Sequence, residues 1–325
     1  MLRIMNRFIE RWMPLLTPIS LTIGIIYADF FKPHSYLVPW MFAFITFSSS
    51  LSITLRKIGE ALRHPLPIFT AIIIIQGIIP VIAFAAGKWL FPSEQWIVIG
   101  LVLAFSIPTA VASILWITIY HGNVSLALST VILNTLLASL FVPATLVVFF
   151  RQSVALDTAQ VMNGLFWMIA FPSVLGIAAN RMTSGKMTRC QVVFSPLAKL
   201  ALLFVIIING SVVAPFILNM NKQVFGVTTV VFFIACTGYL LGHFSGKLLR
   251  LNAADRVSLL YLSGMRNIGV GSAIAVVYFP PAVALPVVIG TLFQQLLASF
   301  FGRILMGMPA AGKQEKIIKT EEEDD

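Results

Sequence analysis

The chain has 325 residues, of which 58% are hydrophobic and only 10% charged. Soluble domains carry about 25% charged residues, so this composition excludes an ordinary soluble enzyme or binding module. A net charge of +10 would suggest nucleic acid in a soluble protein, but here the basic residues sort by membrane topology and no nucleic-acid partner is expected.

A helical membrane crossing needs about 20 predominantly apolar residues. Ten such stretches fit, at about 14–31, 37–55, 67–90, 96–119, 124–150, 160–180, 193–218, 224–246, 257–279 and 283–306, and they leave no room for a soluble domain. With the N-terminus in the cytoplasm, sixteen Lys and Arg fall on the cytoplasmic side, including Arg56, Lys57, Arg63, Arg181, Lys186 and Arg189. Only Lys32, Lys88, Arg151 and Lys222 fall on the other side, and Lys199 and Arg266 lie within spans. This asymmetry predicts a multi-pass protein of the cell membrane with both termini cytoplasmic; a bacterial source is expected.

Residues 1–13 place Arg3, Arg7 and Arg11 beside Ile4, Phe8 and Trp12 and read as a basic amphipathic turn on the inner surface. Asp29 lies near the outer end of the first span. The second holds Ser48-Ser49-Ser50, small polar residues suited to close helix contact. The third holds Gln76 and Pro80, and Pro80 is expected to kink it. The fourth holds Ser106, Pro108, Thr109 and Ser113; Pro108 removes one backbone donor and frees a carbonyl that needs another partner. The fifth carries Asn134, Thr135 and Ser139, and a polar loop at 151–159 precedes the sixth. Lys199, just inside the seventh, is expected to reach the interface. Asn209-Gly210-Ser211 is formally a glycosylation sequon but lies within that span. His243 in the eighth is expected to be packed and hydrogen-bonded. Cys190 and Cys236 show no disulfide or metal spacing.

The ninth span departs from a plain helix. Leu262-Ser263-Gly264-Met265-Arg266-Asn267-Ile268-Gly269-Val270-Gly271 contains three glycines and an arginine with no carboxylate near it in sequence. An Arg at the bilayer centre costs about 2.5–3.5 kcal/mol on insertion scales, so it should face protein or water. The stretch reads as the break of a discontinuous helix at a transport site. In the tenth span, Gln294 and Gln295 suit either interhelical bonding or cavity lining. The chain ends in an acidic tail, 308–325, expected to be disordered.

The halves resemble each other. Leu136-Leu137-Ala138-Ser139 matches Leu296-Leu297-Ala298-Ser299 at an offset of 160. Ala86-Gly87-Lys88 matches Ser245-Gly246-Lys247 at an offset of 159. The pattern predicts five-helix repeats at 14–150 and 160–307. Five is odd, so the second copy is inverted, and spans four and nine become equivalent crossing helices near the midplane.

Two broken helices meeting there would present their N-terminal ends to an anion. Arg266 adds a full charge whose fork suits a carboxylate or sulfonate. The alternative role for Arg266 is structural, bridging carbonyls that the break leaves free. No membrane-enzyme motif, P-loop or ATPase domain is visible, so neither an enzyme nor a self-contained primary pump is expected. A channel remains open as an alternative, although break and repeat favour alternating access.

Pro108-Thr109-Ala110-Val111-Ala112-Ser113, His121-Gly122-Asn123-Val124, Gly264-Met265-Arg266-Asn267 and Phe279-Pro280-Pro281 with Ala284-Leu285-Pro286 together resemble the bile acid:sodium symporter family, over about 14–307. The resemblance implies an all-α integral membrane fold of ten transmembrane helices, a panel at about 14–55 and 160–218, and a core at about 67–150 and 224–307. It implies transport of organic anions such as bile acids, sulfated steroids or small carboxylates, usually with two sodium ions. The departures concern sodium. Leu262 stands at the family's glutamate, Arg266 at its glutamine, Ile114 at the asparagine of its Ser-Asn pair, and Ala127, Val131 and Val111 at hydroxyl positions. Gln76, Ser113 and Asn267 match the family's ion-site residues. The fold and the anion preference are therefore expected to carry over, while sodium coupling is put in question and Arg266 stands as a cation surrogate.

Arsenite efflux carriers of the wider fold share an Arg-Asn pair, but their cysteine and following glutamate are replaced here by Pro108-Thr109-Ala110 and Ile268-Gly269. The expected partners are a small organic anion and the lipid bilayer, with no resident metal or cofactor. The expected substrate contacts are Arg266, Asn267, Thr109, Ser113, Gln294 and Gln295. A sodium-independent receptor or a channel-like facilitator is the alternative function.

Overall fold

The computed structural model describes residues 2–51, 65–150, 158–183, 187, 190–219 and 221–306. Arg56, Lys57, Arg63, Arg151, Lys186, Arg189 and the acidic tail lie outside the described residues. Regular structure among the described residues is all helical.

Helix α1 (Leu2–Ile26) runs unbroken through the boundary expected at residue 13. The chain turns by 90° after Ile26 into α2 (Ala28–Phe31), a 3-10 turn (Lys32–Leu37) and α3 (Val38–Ser50). Asp29 thus lies beyond the first helix, on α2.

The third and sixth expected spans are each two helices joined through a wider π-turn. These are α4 (Pro65–Ile73) and α5 (Ile79–Leu90) around Ile74–Ile78, and α9 (Thr158–Leu165) and α10 (Phe171–Met182) around Phe166–Ala170. The cause is the same in both. Pro80 has no N–H for the carbonyl of Gln76, and Pro172 has none for that of Met168. The preceding residue reaches one step further back instead: Ile79 N–H donates to Ile74, and Phe171 N–H to Phe166. Pro80 therefore produces a π-turn within one long span.

The fourth and ninth expected spans are broken outright. Helix α6 (Gln95–Ser106) is separated from α7 (Ser113–Ile119), and α13 (Ala253–Gly264) from α14 (Ile268–Tyr278). The fifth, α8 (Val124–Phe150), bends by 54°, with Pro143 inside it. Three long helices complete the chain: α11 (Gln191–Leu218), α12 (Lys222–Leu248) and α15 (Pro281–Met306). Among the described residues, five continuous stretches are long and apolar enough to cross a membrane, or seven with each bent pair counted as one.

Helix α11 packs along α1 and α3, and α3 also packs on α10. Separately, α12 packs on α13, and α6 packs on α5 and α15. Small residues permit the closest approaches. A Cβ at Gly242 would stand 2.6 Å from the Leu259 carbonyl, and one at Gly176 would stand 2.7 Å from Ser50 Cβ. Ser50 thus lies at a close helix contact, as its size suggests. The exterior is strongly apolar: Trp89 is 81% exposed, Leu248 82% and Val148 76%. Such side chains are a liability in water and the proper surface against lipid.

Candidate functional site

The two breaks meet. Between α6 and α7 the backbone is extended at Ile107, and Thr109 pairs antiparallel with Arg266 in an isolated bridge. The N–H of Asn267 donates to the Pro108 carbonyl at 2.8 Å, and the N–H of Ala110 donates to the Met265 carbonyl at 3.3 Å. Thr109 Oγ1 adds a bond to Met265 O at 3.2 Å. Backbone groups that would be orphaned inside a membrane thus satisfy each other across the two breaks, which is the condition for irregular backbone there.

Arg266 occupies the centre. Its side chain is 4% exposed. One terminal nitrogen donates to the Ser263 carbonyl at 2.9 Å and approaches the Met265 carbonyl at 3.4 Å. In an unbroken helix Ser263 O would receive the N–H of Asn267, four residues on. That N–H has gone to Pro108, so the guanidinium takes its place. The structural role anticipated for Arg266 is therefore present, and it occupies only part of the fork: Nε is buried with no partner.

Arg266 also lines a cavity of about 450 Å³ whose wall is made by residues of α1, α3, α7, α8, α10, α11, α14 and α15. Asn267, Gln294 and Gln295 share its wall. Both glutamines also bond between helices: Gln294 Oε1 accepts the Arg266 N–H at 3.2 Å, and Gln295 Oε1 accepts Trp116 Nε1 at 2.9 Å. They combine the two roles left open for them. Thr109 and Ser113 are fully buried behind the wall rather than on it. Thr109 is engaged by Met265, and Ser113 Oγ has no partner.

Three placements differ from expectation or were missed. Lys199 does not simply reach the interface; it lines the cavity. His243 is 5% exposed, and its Nδ1 has no hydrogen-bond partner. Asn209, set aside as a buried sequon, lies on the cavity wall, where its Nδ2 donates to Ser272 Oγ at 2.6 Å. The available signal for Lys199 and Asn209 was their spacing of ten residues, which puts them on one face of a helix, about three turns apart.

A profile of the Sodium Bile acid symporter family matches residues 39–220. The chain is 41% identical to Bacillus subtilis "Uncharacterized protein YbaS" over 90% of this chain and 96% of that protein. The chain belongs to the Sodium Bile acid symporter family. It is therefore a multi-pass membrane protein of a transporter family. More distant similarities are 24% identity to B. subtilis "Uncharacterized sodium-dependent transporter YocS", over 91% of this chain and 92% of the relative. Arabidopsis thaliana "Probable sodium/metabolite cotransporter BASS1, chloroplastic" is 23% identical over 78% of this chain and 63% of that protein.

The positions that the family resemblance links to sodium are poorly suited to a hard cation, which takes oxygen ligands. Leu262, Ala127 and Val131 are buried hydrocarbon, and Val111 and Ile114 present hydrocarbon to the cavity. Gln76 Nε2 donates to Asn134 Oδ1 at 2.9 Å, leaving Gln76 Oε1 and Asn134 Nδ2 without partners. Of the positions that match the family's ion site, Gln76 Oε1 and Ser113 Oγ are buried and unpaired, but no carboxylate joins them at Leu262. Among the described residues no group of three His, Cys, Asp or Glu could hold a metal.

Proposed function

We propose that this protein is a secondary carrier of an organic anion, in which Arg266 supplies the positive charge that a coupling sodium would otherwise bring. The observation that carries this reading is the state of Arg266. It is buried, its Nε lacks a partner, and it stands on the wall of a cavity whose lining, among the described residues, includes no Asp or Glu. A buried cation without a counter-ion is costly, and an anionic ligand is its natural complement. A fixed charge cannot leave with the substrate, so transport does not draw on a sodium gradient.

Alternating access needs two bodies and a site between them. Residues 14–55 and 160–218 form the panel in this reading, and residues 67–150 and 224–307 the core, with the cavity walled by both. The inverted five-helix repeat gains support from the hydrogen bonds between the breaks. Asn267 to Pro108 and Ala110 to Met265 exchange when Thr109 is swapped for Arg266, an offset of 157, close to the sequence offsets of 159 and 160. Gly87 and Gly246 also hold equivalent places. A Cβ there would stand 3.0 Å from Val98 and 3.1 Å from Arg256, each on the next helix.

The test is the thermal midpoint of purified full-length protein in sodium against potassium at equal ionic strength, across bile salts and short carboxylates. The expected result is no sodium-specific rise, and a rise from an anion that Arg266→Ala abolishes. A sodium-specific rise overturns the surrogate role. Counterflow in proteoliposomes then separates a carrier, which shows trans-stimulation, from a receptor or simple pore.

A further inference from the structure

We infer that α14, the second half of the broken ninth span, latches one end of the cavity shut, through Tyr278 laid on Gly164 and the bond between Asn209 and Ser272; this rests on the carrier reading above. The two halves of the span pack differently. Helix α13 packs on α4, α7, α8, α12 and α15, all within the core. Helix α14 packs on α6 and α15 but also on α3, α9 and α11 of the panel. Three contacts along it bridge the two bodies. A Cβ at Gly269 would stand 3.1 Å from the Phe42 ring. Three residues on, and so on the same face, Ser272 Oγ accepts from Asn209 Nδ2 at 2.6 Å. At the end of the helix the Tyr278 ring lies directly against Gly164, where any Cβ would collide with it.

These contacts lie at one end of the cavity. Among the described residues its lining on α14 ends at Ser272, and Tyr278 and Gly164 stand beyond it. In the other direction the lining reaches Ser50 at the end of α3, Ile177 in the second half of α10 and Ser195 near the start of α11. In an alternating bundle the ends of the second and sixth spans and the start of the seventh share one face. With both termini cytoplasmic, as the charge asymmetry predicts, that face is the cytoplasmic one, and the latch shuts the outer side. The contacts are of a kind that parts reversibly. None is an ion pair, so opening strands no buried charge. Ser272 Oγ keeps its own bond to the Gly269 carbonyl at 3.0 Å, and Asn209, already on the cavity wall, is released toward water or ligand. Gly164 sets how far the latch closes, because a side chain there would hold the Tyr278 ring off.

The experiment places one reporter thiol on the cavity wall, Thr135→Cys or Thr291→Cys, in full-length protein whose native thiols are removed by Cys190→Ser and Cys236→Ser. Initial rates of labelling by a membrane-impermeant methanethiosulfonate are compared in right-side-out and inside-out membrane vesicles. The expected result is several-fold faster labelling from the cytoplasmic face. Gly164→Ala, Tyr278→Ala and Ser272→Ala each raise labelling from outside several-fold. Gly164→Ala adds nothing once Tyr278→Ala is present, because the ring it would strike is gone. Should Gly164→Ala fail to fold, Ser272→Ala, which loses a single oxygen, decides the outcome. One-sided labelling that none of these variants changes overturns the latch and leaves the carrier reading intact. Faster labelling from outside overturns the assignment of the closed side. Equal labelling from both faces, without trans-stimulation in counterflow, overturns the latch and the carrier reading together.

Discussion

The guanidinium of Arg266 donates to the carbonyl of Ser263 at 2.9 Å, filling the place of the helical N–H that Asn267 gives to Pro108. The arginine is thus a splint for the break, and in the proposed reading its charge also serves an anionic ligand. These roles separate by mutation. Arg266→Ala leaves Ser263 O unsatisfied and is expected to lower stability by about 1–3 kcal/mol, besides losing the anion response. Arg266→Lys keeps a charge without the fork. It should retain part of the anion-induced midpoint shift while still losing basal stability. A Lys variant indistinguishable from wild type in both readings would refute the division of labour.

Restoring the family's ion-site residues tests the replacement directly. Arg266→Gln with Leu262→Glu should bring a partial sodium-dependent rise in midpoint, read against potassium. The rise is expected to stay partial because Ala127, Val131 and Ile114 still supply no oxygen. No sodium effect of any size in a folded double variant would count against the surrogate role.

The approach of α12 to α13 depends on glycines at positions where a side chain has no room. A Cβ on Gly264 would collide with the ring of Tyr239. Tyr239 is 1% exposed and stacks on Phe301 with ring centroids 4.8 Å apart. Gly264→Ala should therefore cost about 1–3 kcal/mol by overpacking. Tyr239→Leu should relieve part of it in the double variant, giving a coupling energy in a thermal-denaturation cycle. Strict additivity would show that the collision is absorbed elsewhere.

The starts of α8 and α13 are tied together. Asn123 Oδ1 accepts the N–H of Leu126, capping α8, while its Nδ2 donates to Asp255 Oδ1 at 2.8 Å. Asp255 also accepts from Asn252, the N-cap of α13, whose own oxygen takes the Asp255 N–H. Asn123→Ala removes a cap, worth about 0.5–2 kcal/mol, and the bridge to a buried carboxylate. Asn123→Asp keeps a capping oxygen but faces Asp255 with a like charge. Both should lower the midpoint at neutral pH.

Gln76 and Asn134 form a half-satisfied buried pair. Asn134→Leu alone strands the glutamine and should destabilise. Gln76→Leu with Asn134→Leu should be closer to wild type than the single change, because matched removal of both partners leaves nothing unsatisfied. A double variant worse than Asn134→Leu would show that the unpaired atoms serve a ligand.

The sequence by itself determined the membrane class, the helical architecture and the positions of both breaks. A bilayer imposes its demands locally: apolar runs of a set length, and prolines or glycines where the helix must stop. Pro108 and the run from Gly264 to Asn267 announced the breaks, and the lack of acid near Arg266 announced its importance. Pro80 was legible as a disturbance, but whether the helix kinked or widened depended on which carbonyl its neighbours could reach. Only the tertiary structure decided the partners. That Asn267 turns to Pro108, that Arg266 therefore takes Ser263, and that Thr109 is spent on Met265 follow from two segments about 157 residues apart lying antiparallel. Lys199 read as a snorkelling lysine because its surroundings along the chain are apolar. Its place on the cavity wall comes from the packing of α11 against α14, a long-range contact that no local pattern encodes.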